Sequence, residues 1–211
     1  MCLVGCGESG VQPSQNAQQP VVKPANVKLQ PELTSLETVE LKHGVLCCIK
    51  IKNPNKEYMI ELPHVNIVYL NDDNQMVDYD ENTLFNIAPD DEITIIEESY
   101  SESEFTHIEV ELETKEDYIR KPSEYSTAVN TSDFIFENVL IDGNRIVGEL
   151  FNNSDVEQSM VRCSLVLRKE GKFVGGEFFF VDDVPAHGSA KFASNFVLKE
   201  YDSYELYGFN W

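Results

Sequence analysis

Apolar residues in this chain recur at every second position, in short runs interrupted by turn residues. Val161, Cys163, Leu165 and Leu167 alternate with Arg162, Ser164 and Arg168. Ile108, Val110 and Leu112 alternate with His107, Glu109, Glu111 and Glu113. A period of two sends successive side chains to opposite sides of a strand, one set to a core and the other to water. By the same phase Val65, Ile67 and Tyr69 point inward. Aligning Leu70 with Leu167 would turn Tyr69 outward, so a bulge near Pro63 is expected.

The runs occur in two similar series. The stretch 37–44 (Glu-Thr-Val-Glu-Leu-Lys-His-Gly) lies over 137–143 (Glu-Asn-Val-Leu-Ile-Asp-Gly), each an apolar strand ending at a glycine turn. Val45 to Lys52 runs into Asn53-Pro54-Asn55, and Ile146 to Phe151 runs into Asn152-Asn153-Ser154-Asp155. Strands closed by asparagine turns are indicated in both. Long strands with polar tips follow at 64–77 and 161–174. Proline turns follow at 87–91 and 184–188, then strands near 93–97 and 190–196, and closing strands at 105–113 and 204–211. About six short strands per unit indicate a β-sandwich. The expected organisation is 1–6 as the end of a signal peptide, 7–33 as a flexible tether, 34–113 as one sandwich, 114–132 as a charged linker and 133–211 as a second sandwich.

The net charge of −21 disfavours nucleic acid and anionic lipid headgroups as partners. It leaves cations or basic proteins, or simply keeps a monomer soluble. No segment reaches the ~18–20 apolar residues of a membrane helix. The cysteines (Cys2, Cys6, Cys47, Cys48 and Cys163) contain no C-x-x-C spacing, and the histidines (His43, His64, His107 and His187) are scattered. Both patterns argue against a metal centre. Cys47 is in phase with Val45, Ile49 and Ile51, as a core residue; Cys48 is in phase with Lys50 and Lys52, toward solvent. Unpaired structural thiols are expected, with Cys47 and Cys163 not bonded.

Leu3-Val4-Gly5-Cys6 matches the bacterial lipobox, in which the cysteine is cut free and carries diacylglycerol. Only Met1 and Cys2 precede it, too little for a secretory apolar region, so an upstream start is expected if the match is genuine. Glu8 to about Pro31 is rich in Ser, Gln, Asn, Pro and Gly. That composition gives a disordered tether spanning ~25–30 Å. Cys6 is therefore the expected lipidation site. The location that follows is extracytoplasmic, on a bacterial cell membrane.

The second unit resembles the FxLYD family, small immunoglobulin-like modules of bacterial extracytoplasmic proteins. The residues that carry the resemblance are 146–154 (Ile-Val-Gly-Glu-Leu-Phe-Asn-Asn-Ser), 169–175, 184–192 and Tyr201-Asp202-Ser203-Tyr204-Glu205-Leu206. The chain departs at the namesake motif, where it has Ser164-Leu165-Val166-Leu167-Arg168. The first unit is a more distant relative. The resemblance implies an all-β fold of two tandem immunoglobulin-like sandwiches and supplies no catalytic residues.

Asn71-Asp72-Asp73-Asn74 with Asp78-Tyr79-Asp80-Glu81-Asn82 brings many oxygen ligands together. It reads first as a solvated acidic hairpin. Calcium on Asp72, Asp73, Asp78 and Asp80 is the alternative, though the spacing is not that of an EF-hand. Asp90-Asp91-Glu92 and the run 97–104 read as solvated loops. No nucleophile, phosphate-loop or histidine–metal motif occurs. Three consecutive phenylalanines, 178–180, must place at least one ring outward. Phe178, Phe180, Tyr207 and Trp211 are thus a candidate binding patch, or pack against the linker or the other unit. The expected function is a non-enzymatic surface lipoprotein without cofactor, a spacer or binding module. Its expected partners are the membrane, through the lipid, and an envelope or extracellular protein. A calcium-stabilised adhesin and an accessory domain of an extracytoplasmic enzyme are the alternatives.

Overall fold

The computed structural model describes residues 27–28, 30–122, 128–197 and 199–211. The lipobox, with Cys2 and Cys6, and most of the expected tether lie outside the described residues.

Among the described residues the chain is all β, with no α-helix and two single-turn 3-10 segments, Glu116–Tyr118 and Thr131–Asp133. The strands up to residue 113 are β1 (Glu32–Leu41), β2 (Gly44–Lys52), β3 (Met59–Glu61), β4 (His64–Leu70), β5 (Met76–Thr83), β6 (Asn86–Ile87), β7 (Glu92–Tyr100) and β8 (His107–Glu113). β9 (Ile119–Arg120) lies in the expected linker. The strands after it are β10 (Phe134–Asp142), β11 (Arg145–Asn152), β12 (Gln158–Lys169), β13 (Lys172–Val184), β14 (Gly188–Asn195) and β15 (Ser203–Asn210).

The strand order of one half recurs in the other. Sheet β1-β2-β7 corresponds to β10-β11-β14, and sheet β5-β4-β8 to β13-β12-β15; a small sheet β6-β3-β9 is extra. All pairs are antiparallel. Both asparagine turns are built on a fully buried side chain at the end of the second strand. Asn53 donates to the carbonyls of Tyr58, Ile87 and Ala88 at 2.8–3.1 Å. Asn152 donates to Val156 O at 2.8 Å, and its Oδ1 accepts from Ser154. The proline turns dock alike: Asp90 N donates to Asn55 O, and His187 N to Ser154 O.

Alternation works as expected on the inner faces. Val45, Cys47, Ile49, Ile51, Val65, Ile67, Tyr69, Ile93 and Ile95 fill a core between β1-β2-β7 and β5-β4-β8. Val161, Cys163, Leu165, Leu167, Ile146, Leu150 and Phe192 belong to a second core between the other two sheets. The bulge expected near Pro63 falls elsewhere. Leu62 does adopt a positive φ of 46°, but the register shifts occur after Tyr69 and after Leu167. Tyr69 and Leu167 are therefore the equivalent positions, and Leu70 corresponds to Arg168.

The outer faces depart from the expectation. Cys48 does not reach solvent; it is 1% exposed, in a third cluster with Ile96, Val166 and Phe173. Arg162 and Ser164 are likewise buried rather than in water. The reason is that sheet β1-β2-β7 lies face to face with β13-β12-β15, so that β2, β7 and β12 are covered on both sides. The run 97–104 is also not all loop: Glu97 to Tyr100 complete β7, with Glu97 and Ser99 buried. In the expected linker Ile119 is buried, Val129 enters the second core, and Thr131 donates through N and Oγ1 to Asp91 at 2.8 and 2.7 Å.

Candidate functional site: an arginine in an aromatic pocket at the junction of the halves

Three of the four residues of the candidate aromatic patch converge on one side chain that the sequence did not flag. In β12 the seam-facing positions are Arg162, Ser164, Val166 and Arg168. The cross-strand partners of Arg162 are Phe180 on β13 and Phe209 on β15. Cross-strand partners share a face, so an arginine there is surrounded by rings. Its guanidinium lies 4.4 Å from the Phe178 ring centre and 5.1 Å from that of Trp211. Phe180 contacts both Phe178 (5.9 Å) and Trp211 (5.7 Å) edge-on or tilted. Phe180 is the most exposed of these rings, at 40%.

Arg162 then reaches the free edge of β7 in the other half. Nη2 donates to Ile96 O at 3.0 Å, a carbonyl on an edge that carries no further strand among the described residues. The same nitrogen lies 2.7 Å from Glu97 Oε1, and the two side chains are only 3% and 5% exposed. Glu97 Oε1 and Arg162 Nε both lack an aligned hydrogen bond, so this contact is chiefly electrostatic. Asn82 of β5 donates to the other carboxylate oxygen, Glu97 Oε2, at 2.8 Å. Burial raises the Glu97 pKa, the attraction of Arg162 opposing it. The aromatic pocket is thus occupied by the chain's own cation, as cation–π attraction in a desolvated site favours.

Tyr207 sits apart from this group. It belongs to the seam, donating to Glu205 Oε2 at 2.7 Å beneath the Lys50 ammonium. Arg168 closes the same side of the seam. Its Nη1 and Nη2 bind both oxygens of Glu37 on β1 at 3.0 and 2.9 Å, and Nε binds Glu205 at 2.9 Å. Such a two-pronged arginine–carboxylate pair fixes orientation as well as charge. The hydrogen bond from Arg168 holds the Glu37 carboxyl below its ordinary pKa. Phe209 extends past Arg162 and is buried in the core of the first half.

The acidic hairpin is organised by its own backbone. Asn71 Oδ1 accepts from Asp73 N and Gln75 N, and Asp78 Oδ2 accepts from Ser101 Oγ at 2.7 Å. Asp72 lines a cleft of about 610 Å³ with Glu40, His43, Glu102 and Glu104, and Asp78 lines an adjoining one. Among the described residues Asp72, Asp73, Asp78 and Asp80 join no group of three or more side chains placed to hold a metal ion.

The three described cysteines are free and buried, one in each apolar layer: Cys47 in the first core, Cys48 in the seam, Cys163 in the second core. Burial pushes the Cys47 thiol up to about 12 and Cys48 to about 11. Such thiols are inert nucleophiles at neutral pH. Sequence reasoning missed Arg162 and Glu97. The available signal was a lone arginine inside an apolar strand, and a glutamate directly after Ile95-Ile96. A scan against protein-family models finds no match, and a search of curated proteins finds no significant match.

Proposed function

We propose that this chain is a non-enzymatic lipoprotein of a bacterial cell surface. Its two tandem immunoglobulin-like sandwiches, the second FxLYD-like, act as a spacer or as a module that holds another envelope or extracellular protein. The observation that carries this reading is the recurrence of one strand order in both halves, joined through covered sheet faces. The charge of −21 also favours this use, because an anionic membrane surface repels such a body and keeps it standing off. Cys6 supplies the anchor.

The test is fractionation of the protein expressed in a bacterial host behind a lipoprotein signal peptide. The wild-type protein is expected with the membranes. Cys6→Ser releases it or leaves an unprocessed precursor, while Cys2→Ser changes neither. A Cys6→Ser protein that is processed and membrane-bound like the wild type would rule the anchor out.

A further inference from the structure

We infer that the seam between β1-β2-β7 and β13-β12-β15 is the plane on which this molecule opens, ahead of either core. Among the described residues the two cores hold 12 and 13 buried apolar side chains, while the seam cluster holds four, Cys48, Ile96, Val166 and Phe173. Burial of apolar area is the main cohesive term between sheets, so the seam is the least cohesive of the three layers.

Its polar groups weaken it further. Of the four buried side-chain atoms without a hydrogen-bond partner among the described residues, three lie at this junction: Glu97 Oε1, Arg162 Nε and Ser164 Oγ. Arg162 Nε and Ser164 Oγ cost desolvation free energy that separation returns by readmitting water, while Glu97 Oε1 has only its ion pair with Arg162. A buried ion pair seldom repays its own desolvation. The two-pronged Arg168–Glu37 pair must also break, at the modest cost of a partly exposed ion pair.

The seam also has an entrance. A cavity of about 90 Å³ at its margin is lined by Leu46, Ile96, Glu98, Gly176, Glu177 and Val197. Glu98 and Glu177 come from opposite halves and repel each other there. What resists opening is mainly Phe209, which must leave the first core when the halves part. That is one ring, against a core whose other members stay packed. Opening of this kind is a sub-global fluctuation, distinct from unfolding.

One thiol per layer makes the proposal measurable in the full chain. In a Cys2→Ser/Cys6→Ser background, Cys47, Cys48 and Cys163 are alkylated under native conditions and each rate is divided by that in denaturant. Fragment-ion mass spectrometry separates the adjacent pair. Cys48 is expected to label at least ~10-fold faster than the other two. Ile146→Val, a mild cut in the second core, is expected to speed Cys163 about fivefold and leave Cys48 unchanged. Equal rates at all three thiols, or equal acceleration of Cys48 and Cys163 by Ile146→Val, would mean the molecule opens only by global unfolding. Cys47 and Cys48 labelling together ahead of Cys163 would mean the first half unfolds as a unit. Each of these results overturns the inference.

Discussion

Arg162 shows how little of a side chain's environment its own strand reveals. It occupies an outward position by period two, yet two rings, a carbonyl and a carboxylate enclose it. Arg162→Ala should strip the cation from Glu97 and empty the aromatic pocket, lowering stability by ~3–5 kcal/mol. Arg162→Met with Glu97→Leu should recover most of that, since apolar replacement of a buried pair is often neutral or better. Urea midpoints of the three proteins check both statements.

The two carboxylates at the junction respond to acid in opposite ways. The folded pKa of Glu37 lies below its ordinary 4.5. Its contribution is therefore complete above 4.5 and is lost as pH falls through the lowered value. The folded pKa of Glu97 is raised, so its contribution is complete below 4.5 and declines as pH rises through the raised value. Glu37→Gln should thus cost about 1 kcal/mol at neutral pH. The gap from wild type should close as the pH drops below 4.5. A gap that stays constant across a titration of thermal melts would show that Arg168 does not select the charged form.

Among the elements, β2, β7 and β12 mark the limit of what the sequence disclosed. Their inner faces were legible because Val45, Cys47, Ile49, Ile51 and Val161, Cys163, Leu165, Leu167 keep a strict period. Their outer faces were not, because Cys48, Arg162 and Ser164 are small or polar and look the same whether covered by water or by another sheet. Only the second sheet decides, and its approach is a long-range fact. Gly176 records that approach on β13. A Cβ there would stand 2.5 Å from Leu165 O and 3.1 Å from the Ile96 side chain across the seam. Gly176→Ala should destabilise by ~1–3 kcal/mol through overpacking. Gly171, whose Cβ would meet nothing within 4 Å, isolates the backbone effect. With its φ of +76°, Gly171→Ala should cost ~1–2 kcal/mol from backbone strain alone. Calorimetry of both variants separates the two causes, and equal losses would mean that β13 has room to yield.

For the whole molecule, the recurring strand order has a counterpart in the order of turns, but nothing in the sequence points to the contacts between the halves. Asparagine and proline turns are local chemistry, and their recurrence is visible in a linear alignment. The junction is assembled from Glu37, Glu97, Arg162, Arg168 and Phe209, with no pattern of spacing to betray it. Phe209→Ala should lower stability by ~3–5 kcal/mol. Hydrogen exchange should show the loss in β2 and β7 of the first half, although the residue belongs to the last strand. Protection lost only in β12 and β15 would show that Phe209 serves its own half.

The position of Phe209 also has a consequence for the order in which the protein is made. Synthesis delivers the amino-terminal half first, and domains commonly fold as they emerge. Here the first core stays one ring short on that schedule, because Phe209 is made long after the rest of it. Until then the flank of β7 lacks Phe209 behind it. A chain that stops short of residue 209 therefore carries an open flank that a protease can find.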